Sequence, residues 1–376
     1  MTEHAVDPRD KLLGRSNVSA TPALQAFYAE LGRHNADAFW NRANAIEPWE
    51  PVTRYAPTLW KYQTMRSLCM QAIDLVRPED AGRRVVALLN DSQAGRDNTA
   101  VVGWLFSGLQ AMKPGEITPA HRHTASAHRF IMEGAGAYTV VDGHRISLGR
   151  NDYVLTPNGC WHDHGVSPDG QICVWQDGLD IPLMNALETN FYAVYDQPAQ
   201  TAAYPENDLP LTFGGGMVPS SAPAWGKPYS PTMVYRWERT RAALQDFASV
   251  SVPDPFDGHI MRYANPLTGG WAMQTMGAQM QMLPAGFRGR AHRHTGNVVY
   301  NVAEGQGYSI ICGQRFDWQE HDIFCVPAWQ WHEHVNLEPD REAFLFSFND
   351  FPVMEALGVM RSETLVENDS HQDGCA

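Results

Sequence analysis

Between Phe130 and Val141, and again between Val298 and Ile311, short runs rich in Val, Ile, Tyr and Phe are cut by closely spaced glycines. β-Branched and aromatic side chains suit a pleated, half-buried surface, so both stretches read as paired strands. Asp142-Gly143 is a tight hairpin signal, because both residues tolerate positive φ. Cys312-Gly313 holds the same place in the second stretch. Turn signals recurring every eight to twelve residues or so point to a sandwich or small barrel. One helical pattern precedes the strands. Thr21-Pro22 is a good cap and first-turn pair, Leu24, Phe27 and Leu31 share a face, and Gly32 can close the helix. Residues 196 to 232, rich in Pro, Gly and Ser, read as a linker. The last dozen residues read as a loose polar tail.

The strand patterns belong to an internal repeat with an offset of about 170 residues. His121-Arg122-His123-Thr124 returns as His292-Arg293-His294-Thr295, and Glu133-Gly134-x-Gly136 as Glu304-Gly305-x-Gly307. Asp152 returns as Asp322 and Gly143 as Gly313. Pro157-x-x-x-Trp161-His162-Asp163-His164 returns as Pro327-x-x-x-Trp331-His332-Glu333-His334. Asp180 and Pro182 match Asp350 and Pro352, and even Leu59 to Tyr62 has an echo in Val234 to Trp237. So many ordered matches at nearly one spacing mean a duplicated domain. The expected layout is an N-terminal helical arm over 1–80, a first β domain over 81–195, and a linker with a connecting helix over 196–255. A second β domain follows over 256–362, then a polar tail over 363–376.

Composition narrows the function classes. Apolar residues make up 44% and charged residues 19% of the 376, as in soluble globular chains. A formal charge of −14 without a Lys/Arg cluster argues against nucleic acid. The first residues lack a basic segment followed by an apolar run, so no secretory leader is expected, and no run is long enough to span a membrane. The six cysteines show no CxxC spacing and read as reduced thiols of a cytoplasmic protein. The 12 tryptophans, several near the repeated histidines, would suit a pocket for a flat ligand, although buried core is their commoner use.

On a strand, residues i and i+2 share a face and lie roughly 6.5–7 Å apart. His121 and His123 can therefore reach one cation, and enough chain follows for several strands to return His162 as a third imidazole. Three neutral imidazoles suit Zn, Cu, Fe or Ni. One HxH is weak evidence; HxH with a third His after a Pro- and Trp-marked turn, repeated in the same order, is strong. His164 shares the face of His162, where it can act as acid, base or hydrogen-bonding group or serve only the structure.

The spacing Gly-x5-His-x-His followed by Pro-x4-His resembles the two motifs of the cupin superfamily. Most metal-binding cupins place a Glu four residues after the second His, where this chain has Ala127 and Val298. That loss, with His128-Arg129-Phe130 following, is similar to the gentisate 1,2-dioxygenase family of bicupins, which includes salicylate and 1-hydroxy-2-naphthoate dioxygenases. The resemblance runs over roughly 22 to 362. It implies an all-β-dominated fold of two tandem cupin (double-stranded β-helix, jelly-roll) barrels. It also implies Fe(II) held by His121, His123 and His162, a small aromatic 2-hydroxy carboxylate and dioxygen as substrates, and cleavage between the carboxyl- and hydroxyl-bearing carbons; from gentisate this gives maleylpyruvate. Arg129 matches the residue holding the substrate carboxylate, Gln110 and His164 match contacts to substrate or oxygen, and Asp177 matches a position orienting an imidazole. Arg83 or Arg84 is a further anion contact. A homotetramer is the assembly that the family implies.

The second copy keeps His292, His294 and His332 as a possible second metal site, with His334 as companion. Val299 is read there at the place of Arg129, so the set can be a metal site or a polar core, and catalysis there is not expected. A non-catalytic bicupin is disfavoured by two complete histidine sets, and a cupin decarboxylase or isomerase by the missing carboxylate. Phe106 and Trp104 are candidates for the far edge of the substrate pocket.

Overall fold

The computed structural model describes residues 21–93, 99–220 and 225–373; parts of the leader, linker and tail readings, and Cys375, lie outside them. The chain divides into two compact units at Val52/Thr53. In the first, Thr21 caps the helix Pro22–Arg33 by accepting from the Leu24 N–H at 3.2 Å. The helix runs past Gly32, and Asn35 takes the left-handed conformation instead (φ 54°). A short polar side chain tolerates that region, so Gly32 is not needed as the stop.

The second unit contains both barrels. In barrel one a six-stranded sheet has the order Val234–Tyr235, Tyr153–Thr156, Ala127–Glu133, Cys173–Leu179, Phe106–Met112, Val85–Ala87. Facing it are Tyr192–Val194, Ile117–His123, His162–Val166, Ala137–Val141 and His144–Ser147. Barrel two repeats this with Thr58–Trp60, Ile323–Val326, Val298–Glu304, Ala343–Asn349, Gly277–Leu283 and His259–Arg262. Its smaller sheet is Gln314–Gln319, Gln306–Ile311, His332–Asn336, His292–His294 and Ser362–Thr364. The hairpins form as expected, with positive φ at Asp142, Gly143, Cys312 and Gly313.

The barrels trade edge strands. Thr58–Trp60, which precedes barrel one, pairs with Ile323–Val326 of barrel two, and Val234–Tyr235 pairs with Tyr153–Thr156 of barrel one. Each traded strand leads into a helix, Tyr62–Leu75 or Trp237–Val250. The repeated aspartates hold those helix starts. Asp322 accepts from the Tyr62 N–H (2.7 Å) and Lys61 Nζ (2.9 Å). Asp152 accepts from the Trp237 N–H (2.9 Å) and Arg236 Nη1 (2.7 Å). The sequence echo of Leu59–Tyr62 in Val234–Trp237 is this exchange. Residues 53–80 are therefore part of the barrel assembly rather than a separate arm.

Residues 363–373 are not a loose tail. Ser362–Thr364 pairs with His292–His294, and Gln372 donates its N–H to Glu333 (2.9 Å) and its side-chain amide to the Ile310 carbonyl (2.8 Å). Gln200 makes the matching bonds in barrel one, to Asp163 (2.9 Å) and the Val140 carbonyl (3.0 Å). Both segments are straps that finish a barrel, and satisfied backbone groups make them part of the fold. The larger sheets pack against each other through apolar faces. Phe130 stacks on Phe346 with ring centres 4.2 Å apart, and His128 meets Phe348 edge-on at 4.4 Å.

Candidate metal centres

Strand alternation decides what points into each barrel. Along Ile117–His123, His121 and His123 face inward, and the neighbouring His162 is the cross-strand partner of His121. The three rings lie with centres 4.3 to 5.5 Å apart and are buried. Each Nδ1 meets a backbone carbonyl: Pro119 (2.7 Å), Ala125 (2.7 Å) and Cys160 (2.9 Å). Those bonds fix the Nδ1–H tautomer and leave each Nε2 as a lone-pair donor. Nε2 of His121 and of His162 is buried without a partner among the described residues. A buried orphan nitrogen is costly, and three imidazoles whose ligand atoms all lie within 4.8 Å of one another fit a metal ion. Burial pushes His121 down to about 4 and His123 to about 3, so both are neutral, as ligation requires.

Arg129 points into the same barrel from the larger sheet and is 3% exposed. Its Nη1 donates to Thr156 Oγ1 (2.6 Å), and its Nε lies 3.1 Å from Asp177 Oδ1 without hydrogen-bond alignment. Burial lowers its pKa to about 10, against the opposing pull of Asp177, so it stays cationic at neutral pH. Among the described residues no hydrogen bond or ion pair joins Asp177 to an imidazole; it is the cross-strand neighbour of Arg129 and positions that side chain. This corrects its expected role. The two residues of the Arg83/Arg84 alternative are placed differently. Arg83 Nη1 lies 3.4 Å from His123 Nε2, whereas Arg84 is tied to Glu116 and the Val76 and Ala111 carbonyls.

His164 sits beside His162, with ring centres 5.3 Å apart. Thr139 Oγ1 donates to the Asp163 carbonyl (3.1 Å) and so accepts the Nδ1–H of His164 at 2.7 Å. The His164 Nε2 is thereby an unprotonated acceptor, buried without a partner among the described residues. Gln110 donates to Thr118 Oγ1 (2.8 Å), and its buried Oε1 has no partner among the described residues. Two contributors escaped the sequence reading. Tyr192 of the strap stacks on His121 at 5.2 Å, and Thr139 fixes the His164 tautomer. Neither lies in a motif, since both act through strand pairing. Trp161, although beside His162, faces outward, stacking under Arg122 at 4.6 Å. Phe106 packs with Leu179 and Met184 in a small apolar cluster.

Barrel two places His292, His294 and His332 together in the same way, with ring centres 4.2 to 5.8 Å apart. The residue matching Arg129 is Tyr300, not Val299. Ala127 aligns with Val298, so His128 matches Val299 on the inter-barrel face and Arg129 matches Tyr300 on the inner one. The sheet register agrees: Arg129 opposes Asp177, and Tyr300 opposes Ser347. Tyr300 lies edge-on to His334 at 4.8 Å.

Two cupin barrels, each closing on three clustered histidines that could hold a metal ion, define a bicupin. The cupin domain model matches residues 108–182 and 279–348. A gentisate 1,2-dioxygenase of Aquipseudomonas alcaligenes is 36% identical over 91% of this chain and 97% of its own length. A 5-aminosalicylate 1,2-dioxygenase of a Comamonas species is 34% identical over 93% of this chain and 92% of its own. The salicylate 1,2-dioxygenase of Pseudoaminobacter salicylatoxidans, solved with gentisate, superposes with a TM-score of 0.84 at 30% identity, covering 92% of this chain and 95% of that one. The chain belongs to the gentisate 1,2-dioxygenase family and is a ring-cleaving dioxygenase. No helix among the described residues is long and apolar enough to cross a membrane.

Proposed function

We propose that this enzyme opens gentisate between its carboxyl- and hydroxyl-bearing carbons to give maleylpyruvate, with Fe(II) held by His121, His123 and His162 in barrel one. The observation that carries the substrate class is the buried Arg129 cation facing the triad, with Arg83 beside it. Two guanidinium groups in a water-poor site call for an anion, and a planar fork suits a carboxylate. Iron(II) would supply open coordination positions for the ortho oxygens of the substrate and for dioxygen, and the one-electron chemistry that lets triplet dioxygen react with a closed-shell ring.

The chain's own groups do the rest. Asp177 and Thr156 hold the Arg129 fork, so the carboxylate enters a prepared orientation. The His164 Nε2 accepts the proton of a ring hydroxyl, because Thr139 has already taken the Nδ1–H. Gln110 Oε1 is a second acceptor for a substrate hydroxyl. Salicylate, 5-aminosalicylate and 1-hydroxy-2-naphthoate, acted on by relatives of this chain, share the ortho pair and differ at the far ring edge. We place the reaction in the cytoplasm, in keeping with the unpaired thiols of Cys69, Cys160, Cys173, Cys312 and Cys325, and in a homotetramer, the assembly the family implies.

The test is an aerobic panel of these four acids with iron-loaded protein, following oxygen consumption and ring-fission absorbance. Gentisate is expected to give one oxygen consumed per ring opened. His123→Ala is expected to lose both iron and turnover. Absence of oxygen uptake with every acid, or normal activity in His123→Ala, overturns the reading.

A further inference from the structure

Barrel two surrounds its triad with groups of the opposite character. Asp257 stands at the tip of a tight turn leading into the edge strand His259–Arg262. Its neighbours fix it: Asp254 Oδ1 accepts from the Phe256 N–H (2.8 Å) and the Asp257 N–H (3.1 Å), and Gln281 Nε2 donates to Asp257 Oδ1 at 2.7 Å. The other carboxylate oxygen lies 3.8 Å from His292 Nε2. Gln281 is the repeat partner of Gln110, and Asp257 occupies the approach to the edge strand from which Arg83 reaches the first triad. Tyr300 replaces Arg129. Where barrel one offers two cations, barrel two offers a carboxylate and a phenol.

A second observation points to a ligand. His332 is 0% exposed, and its Nε2 has no partner among the described residues, while its Nδ1 meets the Gln330 carbonyl at 3.0 Å. His294 is fixed likewise, by the Gly296 carbonyl at 2.9 Å. Two imidazoles are thus held with their Nε2 lone pairs toward a common point, and the third faces a carboxylate.

We propose that barrel two holds a resident divalent transition-metal ion through His292, His294, His332 and the carboxylate of Asp257. Asp257 restores, from the turn before the edge strand, an acidic ligand in place of the one lost at Val298. Three imidazoles with one carboxylate suit Zn(II), Fe(II), Mn(II) or Ni(II). The carboxylate would lower the charge left on the ion and take a position that an ortho-hydroxy acid would need, and among the described residues no arginine stands at the inward position that Arg129 holds in barrel one. The site keeps its metal and turns away the anionic substrates that barrel one takes.

Co(II) titrated into the metal-stripped full chain tests this, read by bound metal and by visible absorbance. Wild type is expected to bind two Co(II) per chain and His123→Ala one. The further change Asp257→Asn in the His123→Ala protein should weaken the remaining site about 10–100-fold and alter its spectrum. Gentisate should leave the His123→Ala spectrum unchanged. A single Co(II) in wild type, or none in His123→Ala, overturns the second site. An unchanged affinity and spectrum in Asp257→Asn overturns the ligand role, and a gentisate-induced shift overturns the closed ligand set. Because the readout is metal binding in wild type and in a protein lacking the first site, failure of the ring-cleavage reading leaves these outcomes unaffected.

Discussion

His128 and Arg129 are neighbours in sequence and opposites in setting, because a strand sends them to different faces. Arg129 enters the barrel, where Asp177 and Thr156 hold its fork. Replacing it with Lys keeps a charge but loses the planar donor pair, and kcat/KM toward gentisate should fall about 10²–10³-fold, as when a buried charge pair is broken. Steady-state kinetics check this; an unchanged value would remove Arg129 from substrate binding. His128 enters the seam between barrels, packed by Tyr153, Phe346 and Phe348, with both ring nitrogens unpartnered among the described residues. Burial first, and Arg129 second, push it down to about 3. A histidine whose folded pKa is depressed favours folding only while neutral. Its penalty is absent well above the unfolded value of about 6.5 and grows as pH falls from there toward 3. His128→Leu removes that titration, so its stability relative to wild type should rise by about 1–2 kcal/mol between pH 7 and pH 5. Parallel stability curves for the two proteins would show that this residue does not set the acid limit.

At the level of elements, the aspartates that close each barrel's outer corner carry more than their own turn. Asp322 is fully buried and joins Lys61, the first N–H of the helix Tyr62–Leu75, and the Gln319 N–H of its own hairpin at 3.1 Å. Asp322→Ala strands buried donors and should cost about 2–4 kcal/mol, whereas Lys61→Ala, about half exposed, should cost about 1 kcal/mol or less. Urea unfolding of both variants measures the ratio; equal costs would mean that the lysine, not the backbone N–H, is the partner that matters. Asp152 and Asp322 were legible in sequence as a repeated pair, and so were the hairpins and histidines, because motif identity and strand alternation are local. The exchange that gives the aspartates their task was not, since pairing Thr58–Trp60 with Ile323–Val326 joins residues far apart in the chain. The strap at Ser362–Thr364 was missed for the same reason: its polar composition is that of a tail, and only the matched bonds of Gln200 and Gln372 reveal a structural part. Tyr300 was missed by a one-residue slip, which on a strand inverts the face.

For the whole molecule, traded strands and a shared apolar seam mean that neither barrel is complete alone. A chain severed between Gly215 and Gly216 would leave barrel one without Val234–Tyr235 and barrel two without Thr58–Trp60, exposing a sheet edge on each. It would also bare the faces carrying Phe130 and Tyr153 on one side and Phe346 and Phe348 on the other, at about 1.5–3 kcal/mol per large side chain returned to water. Each fragment expressed alone should aggregate or unfold without cooperativity. The two expressed together should pair through the same reciprocal strands and recover the far-UV and near-UV signature of the intact chain, because every contact of the seam is available to them. A soluble, cooperatively unfolding fragment of either half would show that the duplicated barrel is self-sufficient and that the exchange only tethers it. The expected dependence also explains how two sites of opposite charge can coexist in one enzyme. The barrels share a frame that neither can discard, while the inward positions Arg129 and Tyr300, and the edge-strand approaches at Arg83 and Asp257, are free to differ.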